Sequence, residues 1–288
     1  MQTYFITKRT KEVDADVRHK IFLFDRPRCR YLEGEGKDIY DQYNKWHKTK
    51  ECAMKKPPSP PDHEASLASA VARAKRGLSD LIYFGHCQQS KFLTLTFAES
   101  CCDRSKVKSA VHHMCTRYKA GENQPLAYIS VLELHPGGHG YHVHMIINSP
   151  YVPQSTWQDD YWQKGIVHIK SLARVSTTAG VIDITNYLCK YLEKDAPNVP
   201  SGSRRYNVSQ AWPELPKRQY LDFGSYEEAF EWFSKLGNKY NTWPQAWESY
   251  TSNGEVVAGI TLSGKLPPIP KQFLSGKDIE AGNALPAL

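Results

Sequence analysis

Long apolar segments are missing from this sequence. A helix that spans a membrane needs about 20 consecutive apolar residues, and no such run occurs among the 288 residues. The first residues, from Met1 to Arg9, also lack the apolar core and the cleavage pattern of a secretory signal. We therefore expect no association with a membrane, and we predict a cytoplasmic location.

A disulfide framework and an ATP-binding loop are also missing. The seven cysteines are scattered and odd in number, and Cys101 and Cys102 are adjacent, so reduced thiols fit better than a disulfide scaffold. No glycine-rich phosphate loop ending in lysine and serine or threonine occurs. We therefore do not expect a fused helicase motor, and any unwinding would depend on a host protein.

The composition is that of a globular and mildly basic chain. Aromatic residues make up 12% of the sequence and the net charge is +7, which permits nucleic-acid binding without demonstrating it. A proline-rich stretch at residues 55–62 is the clearest boundary. We predict a basic N-terminal extension with its linker over residues 1–62, a central domain over 63–210, and a C-terminal helix and hairpin region with a tail over 211–288.

Two histidines lie on one face of a predicted strand. Side chains in a strand alternate between faces, so His142 and His144 point the same way, while Val143 and Met145 fill the other face. Two imidazoles so placed are able to share one metal ion with a third, harder ligand. A pair of polar residues on the solvent face of an amphipathic strand is the simpler alternative, and the spacing alone does not exclude it.

Glu133 is the candidate for the third ligand. It lies in a β-forming stretch at residues 127–134, and a glycine-rich turn at residues 136–140 follows. If the two strands pair across this turn with Glu133 opposite His142, the carboxylate and both imidazoles share a face. A slip of one residue would place Glu133 on the other face. Such a ligand set suits Mn²⁺ or Mg²⁺ acting on phosphates, and zinc is also compatible with these ligand types.

A predicted helix further along the chain carries two tyrosines one turn apart. At about 100° per residue, one sector contains Tyr187, Lys190, Tyr191 and Lys194. An apolar stripe beside this sector should face the core, and Asp183 is the expected N-cap. A tyrosine hydroxyl is a weak nucleophile near neutral pH because its pKa is about 10, and nearby positive charge would favour the phenolate. Tyrosines with this spacing are also common in ordinary packing.

The order of the predicted elements indicates an α+β fold. We expect a central antiparallel sheet flanked by helices, with N-terminal and C-terminal additions. The histidines should then lie in the middle of the sheet and the tyrosines on a helix across its face. The tryptophan-rich residues 151–164 are expected to be irregular.

Three segments together resemble the HUH endonuclease superfamily. More narrowly, the chain resembles the two-tyrosine rolling-circle replication initiators of single-stranded DNA phages, of the filamentous-phage kind, and of related plasmids. Residues 92–97 resemble the first family motif, residues 141–146 the histidine–hydrophobic–histidine motif, and residues 187–194 the tyrosine motif in its two-tyrosine form. The resemblance covers about residues 75–210.

This resemblance implies a catalytic site and a reaction. The histidine pair and Glu133 would hold a divalent metal, Mn²⁺ or Mg²⁺, at the scissile phosphate. Tyr187 or Tyr191 would attack single-stranded or hairpin origin DNA, leaving a 5′-phosphotyrosine link and a 3′-OH that primes rolling-circle replication. The other tyrosine would support the strand transfer that rejoins the product, and Lys190 would orient or neutralise the phosphate. A host helicase and polymerase, in a bacterial cell, would be the partners.

Other functions are compatible with the same residues. A plasmid mobilisation relaxase and a single-strand DNA transposase would share such a site. Relaxases usually arrange their histidine triad differently and the smallest transposases usually carry one tyrosine, so the paired tyrosines favour the replication initiator. A non-catalytic nucleic-acid-binding module on the same scaffold is the alternative of a different class.

Overall fold

The computed structural model describes residues 4–14, 16–24, 63–135, 137–173, 175, 178–200, 203–217, 219–223, 225–240, 247–250, 256–263 and 266. The chain divides into two compact units. The first unit joins residues from both ends of the chain, and the second comprises residues 13–15 and 63–215. The proline-rich stretch at residues 55–62 lies outside the described residues, and the division into three segments at residues 62 and 210 stays a prediction.

The described residues form helices and strands in both units. The strands are β1 (Tyr4–Val13), β2 (Asp16–Phe24), β3 (Ser90–Phe97), β4 (Ala127–Leu134), β5 (Tyr141–Asn148), β6 (Gly165–Ser171), β7 (Asn207–Val208), β8 (Gln219–Phe223), β9 (Trp247–Tyr250) and β10 (Val256–Ser263). The α-helices are α1 (His63–Gly85), α2 (Arg104–Glu122), α3 (Thr178–Asp195) and α4 (Tyr226–Tyr240). A π-helix spans Thr156–Trp162 and a 3₁₀ turn spans Ala196–Asn198.

The second unit is built on an antiparallel sheet with the strand order β6-β3-β5-β4-β7. One face of this sheet packs against α2 and the π-helix around Leu95, Val143 and Met114. The opposite face packs against α1 and α3 around Ile82, Ile146 and other apolar residues. Both faces of the sheet are therefore covered by helices, and the predicted α+β fold with a central antiparallel sheet flanked by helices is confirmed.

The sequence-based prediction is wrong for residues 151–164, which are not irregular. The π-helix places Trp157 and Trp162 five residues apart and fully buried against the core. Hydrogen bonds that close between residues i and i+5 bring these two indole rings to one side. The guanidinium of Arg117 on α2 donates to the carbonyl oxygens of Tyr161, at 2.7 Å, and Trp162, at 3.1 Å. These contacts hold the π-helix on the sheet.

The beginning of α3 also differs from the prediction. The helix begins at Thr178, so Asp183 lies in its second turn and is not the N-cap. The apolar stripe extends upstream of Asp183, because Val181 is buried in the same core as Leu188 and Leu192. Burial of this first turn explains the earlier start, and it leaves the Asp183 side chain exposed on the helix surface.

The pairing of β4 with β5 sets the positions of the histidines. Glu133 pairs with His142 and Val131 pairs with His144, which is the register proposed from the sequence. In the turn before β5, Gly140 has φ +108°, and a Cβ atom there would lie 2.8 Å from the backbone nitrogen of Cys101. A side chain at this position would therefore be strained and would collide. The turn delivers β5 into the middle of the sheet.

The first unit contains its own sheet, in the order β8-β1-β2-β10-β9. Helix α4 packs on it through Ala229, Phe233 and Leu236. The predicted C-terminal hairpin corresponds to β9 and β10, which pair antiparallel, while its turn at residues 252–254 lies outside the described residues. Among the helices that the structure describes, none combines the length and the apolar character needed to cross a bilayer.

Candidate active site

The candidate active site lies where α3 crosses β4 and β5. The ring of Tyr191 stacks on the imidazole of His144, with ring centroids 3.6 Å apart and an angle of 13° between the planes. Tyr187, one turn earlier on the same helix, meets Tyr191 edge to face at 5.1 Å. The helix sector that carries the tyrosines therefore faces the histidine strand.

A carboxylate joins this cluster from the neighbouring strand. Oε2 of Glu133 lies 2.8 Å from Nε2 of His144, and Oε1 of Glu133 accepts a hydrogen bond of 2.7 Å from Nζ of Lys194. Burial of Glu133 opposes ionisation, but the hydrogen bonds from Lys194 and His144 outweigh it and lower the pKa of this carboxyl. Glu133 is therefore an ionised carboxylate at the floor of the site.

Both histidines are neutral at physiological pH. Burial lowers the pKa of His144, against the opposing effect of its hydrogen bond to Glu133. Burial also lowers the pKa of His142, and the nearby His135 adds to this effect while Glu133 opposes it. The neutral Nε2–H of His144 therefore donates to Glu133. A neutral imidazole is the form that binds metal ions.

Two threonines of β3 hold the other nitrogen of each imidazole. Oγ1 of Thr94 lies 3.2 Å from Nδ1 of His144, and Oγ1 of Thr96 lies 3.0 Å from Nδ1 of His142. A hydroxyl can donate or accept, so each threonine suits either tautomer of its histidine. Both imidazoles are oriented with Nδ1 engaged, which directs Nε2 toward the site. The sequence analysis missed this role, although the two threonines repeat the i, i+2 spacing of the histidines.

The residues that could hold a metal ion have suitable chemistry. Among the residues that the structure describes, no group of three His, Cys, Asp or Glu side chains is already closed around an ion position. The rings of His142 and His144 are 6.5 Å apart and nearly parallel. Two neutral imidazoles with anchored Nδ1 atoms and one ionised carboxylate nevertheless form a donor set that fits a divalent cation. Such an ion would replace the proton on His144 Nε2 and the ammonium of Lys194 as partners of Glu133.

The two tyrosines differ in their surroundings. The side chain of Tyr187 is 47% exposed, whereas Tyr191 is partly buried between His144 and the helix. Burial, the hydrogen bond to Tyr187 and the charge of Glu133 all raise the pKa of Tyr191. In this state, without a cation beside it, the Tyr191 phenol holds its proton firmly.

The structure brings a lysine into the site that the sequence analysis did not select. Lys190 is exposed, and no described residue forms an ion pair with it. Lys194 instead contacts Glu133, and its Nζ lies 5.5 Å from the centre of the Tyr191 ring. The signal for Lys194 is present in the sequence as a tandem repeat, since residues 187–190 and 191–194 both read Tyr-Leu-x-Lys.

Other histidines surround the site at greater distance. His135, in the turn after β4, has its ring 5.5 Å from that of His142. His168 of β6 pairs in register with Thr94 and is therefore on the same sheet face as His144, but its side chain is exposed. Neither contacts Glu133 in the hydrogen bonds described above.

Residues 90–196 of the chain match the family described as replication-associated protein ORF2. The match supports a rolling-circle replication initiator of the HUH type. In this replication initiator, the matched segment runs from the first residue of β3 to the residue after α3, so it contains the histidine strand and the tyrosine helix. No curated protein and no solved structure matches the chain significantly.

Proposed function

We propose that this replication initiator is a site-specific single-strand DNA endonuclease and strand transferase. The contact of 3.6 Å between the rings of Tyr191 and His144 carries the proposal. It brings a phenol against an imidazole that is itself hydrogen-bonded to Glu133. A candidate nucleophile, a candidate metal site and a family match to replication proteins therefore lie in the same segment of chain.

In the proposed reaction, the phenolic oxygen of one tyrosine attacks the phosphorus of a phosphodiester in origin DNA. A bond forms between this oxygen and phosphorus, and the bond from phosphorus to the 3′ oxygen breaks. The phenol loses a proton and the departing 3′ oxygen gains one. The products are a 5′-phosphotyrosine and a free 3′-OH, which primes rolling-circle replication.

Rejoining uses the same exchange in reverse. A 3′-OH attacks the phosphotyrosine, restores a phosphodiester and releases the phenol. One ester replaces another at each step, so no ATP is consumed. Tyr187 and Tyr191 are one helical turn apart, and their rings are in contact. The second tyrosine is therefore placed to accept a strand while the first remains linked.

His142, His144 and Glu133 are the residues that would hold Mn²⁺ or Mg²⁺, and the bound ion would polarise the phosphoryl group. The two threonines of β3 keep the imidazoles oriented. Lys190, on the exposed side of the helix, is proposed to neutralise the phosphate of the bound strand. The proposed substrate is single-stranded or hairpin DNA, with a host helicase and polymerase as partners in the cytoplasm of a bacterial cell.

Covalent capture of DNA distinguishes this enzyme from a binding module. The full-length protein is incubated with single-stranded DNA that contains the origin and with Mn²⁺, and the mixture is denatured in SDS. An SDS-resistant protein–DNA adduct is the expected result. A complex that dissociates in SDS and weakens with salt would indicate a non-catalytic module instead.

A further inference from the structure

A groove lies beside the tyrosines on the same face of the sheet. Its volume is about 450 Å³, and it runs between β3, β6 and α3. The residues that the inference uses are Phe92, Thr94, His168, Lys170, Asp183 and Tyr187. Tyr187 belongs both to this groove and to the tyrosine pair. A DNA strand with a phosphate at Tyr187 therefore places an adjacent nucleotide in the groove.

The wall next to the nucleophile is aromatic. The ring of Phe92 contacts that of Tyr187 edge to face, with centroids 5.4 Å apart and an angle of 62° between the planes. Aromatic side chains are the usual platforms on which unpaired bases stack. The groove has the size of a small-molecule site, which is ample for a nucleobase. The part of the nucleotide that enters beside Phe92 is therefore its base.

The helix side of the groove carries a negative charge. The side chain of Asp183 is exposed, and among the described residues it has no ion-pair partner. A carboxylate repels the phosphates of DNA, so it must face the edge of a base for the groove to bind a strand. On a base edge, a carboxylate accepts hydrogen bonds from exocyclic amino groups, as on cytosine. Carbonyl oxygens at that position repel it.

We propose that this groove binds the base next to the attacked phosphate and that Asp183 selects a base with an exocyclic amino group. The inference rests on the proposed function, because the strand is placed by its phosphate at the tyrosines. Lys170 and His168, on the opposite wall, supply positive or hydrogen-bonding groups for the backbone of the same nucleotide. Asp183 is a specificity-determining residue and takes no part in bond cleavage.

Deoxycytidine and deoxyuridine strands test the selection, because their bases present an amino group and a carbonyl at the same position. Binding of fluorescent oligo-dC and oligo-dU of equal length to the full-length protein is measured by anisotropy in excess chelator. The wild-type protein should prefer oligo-dC by about tenfold, the value of one hydrogen bond to a charged group. Asp183→Asn should reduce this ratio to near one, because an amide both donates and accepts.

The control removes the same charge from the opposite face of the sheet. Asp160, exposed on the π-helix, is replaced in Asp160→Asn. This variant should bind both strands slightly more tightly and keep the wild-type ratio. An unchanged ratio in Asp183→Asn, or a wild-type protein without preference for oligo-dC, overturns the inference.

The same proteins in the SDS adduct assay separate this inference from the proposed function. Adducts that form while the oligo-dC to oligo-dU ratio ignores Asp183 leave the nuclease proposal standing and remove the groove's selectivity. A ratio that depends on Asp183 without any adduct in Mn²⁺ keeps the base-selective groove and removes the nuclease proposal.

Discussion

The hydroxyls of Thr94 and Thr96 decide which imidazole nitrogen is available in the site. Each lies within 3.2 Å of an Nδ1 atom, so the ring can neither rotate nor expose that nitrogen without losing a hydrogen bond. Partners of this kind raise the affinity of histidine for metal by orienting the ring. The pairing could not be predicted from the local sequence, because it requires knowing that β3 lies beside β5.

Replacing Thr96 by valine should weaken metal binding while keeping the shape of the side chain. The Thr96→Val protein loses the hydroxyl that holds Nδ1 of His142, and we expect the Mn²⁺ affinity to fall about tenfold. Isothermal titration calorimetry with Mn²⁺ measures this. Thr116→Val, on the exposed side of α2, is the matched control and should titrate like the wild type. Equal affinities in all three proteins would show that the threonine does not support a metal ligand.

Lys194 occupies the position that a cation would take beside Glu133. Its Nζ is 2.7 Å from Oε1 of Glu133, and its removal frees that oxygen and deletes a nearby positive charge. Lys194→Ala should therefore bind Mn²⁺ several-fold more tightly than the wild type. Lys190→Ala, which removes the same charge from the preceding turn, should change the affinity little. Weaker Mn²⁺ binding by Lys194→Ala would contradict the assignment of Glu133 as a ligand.

At the scale of elements, the tyrosine helix is fixed by its two ends and its apolar stripe. The carboxylate of Asp195, the last residue of α3, is 1% exposed and is paired with the guanidinium of Arg104, the first residue of α2. Burial raises the pKa of Asp195, and Arg104 counters this effect. This ion pair ties the end of the tyrosine helix to the helix on the other face of the sheet.

Removing one member of this pair should destabilise the domain. Arg104→Ala leaves the Asp195 carboxylate buried without its partner, which costs about 3–5 kcal/mol in such cases. The free energy of unfolding, measured by urea titration, should fall by that amount. The double variant with Asp195→Ala should lose less than the single variant. Lys106→Ala, exposed on the same turn of α2, should stay within about 0.5 kcal/mol of the wild type.

Apolar periodicity predicted the position of most elements because burial repeats along each of them. The pattern located α2, β5 and α3 to within a few residues. It failed at the π-helix, whose i to i+5 spacing is not the period of an α-helix. It also failed at Asp183, where a suitable capping residue lies inside the helix and the buried Val181 precedes it.

At the scale of the whole molecule, the two units have different relations to the family. The match to replication-associated proteins covers residues 90–196, which belong to the second unit. In the first unit, β1 pairs with β8 and β2 pairs with β10, so strands from both ends of the chain share a sheet. Local sequence patterns do not reveal such pairings between distant segments, and the sequence analysis treated the two ends separately.

The spatial arrangement within the candidate site was more accessible to sequence reasoning. The alternation of His142 and His144, the turn after Glu133 and the helical spacing of the tyrosines are all local features. Together they predicted that a phenol would lie against an imidazole, and Tyr191 does contact His144. The chemical roles of these residues remain the proposal.

Identification of the residue linked to DNA is the most direct test of this proposal. The wild-type protein and the Tyr187→Phe/Tyr191→Phe double variant are incubated with origin DNA and Mn²⁺, and the adduct is digested and mapped by mass spectrometry. We predict a phosphotyrosine link at Tyr187 or Tyr191 in the wild type, a reduced or rerouted link in either single variant, and none in the double variant. An adduct that persists in the double variant, or a link to any other residue, would contradict the account.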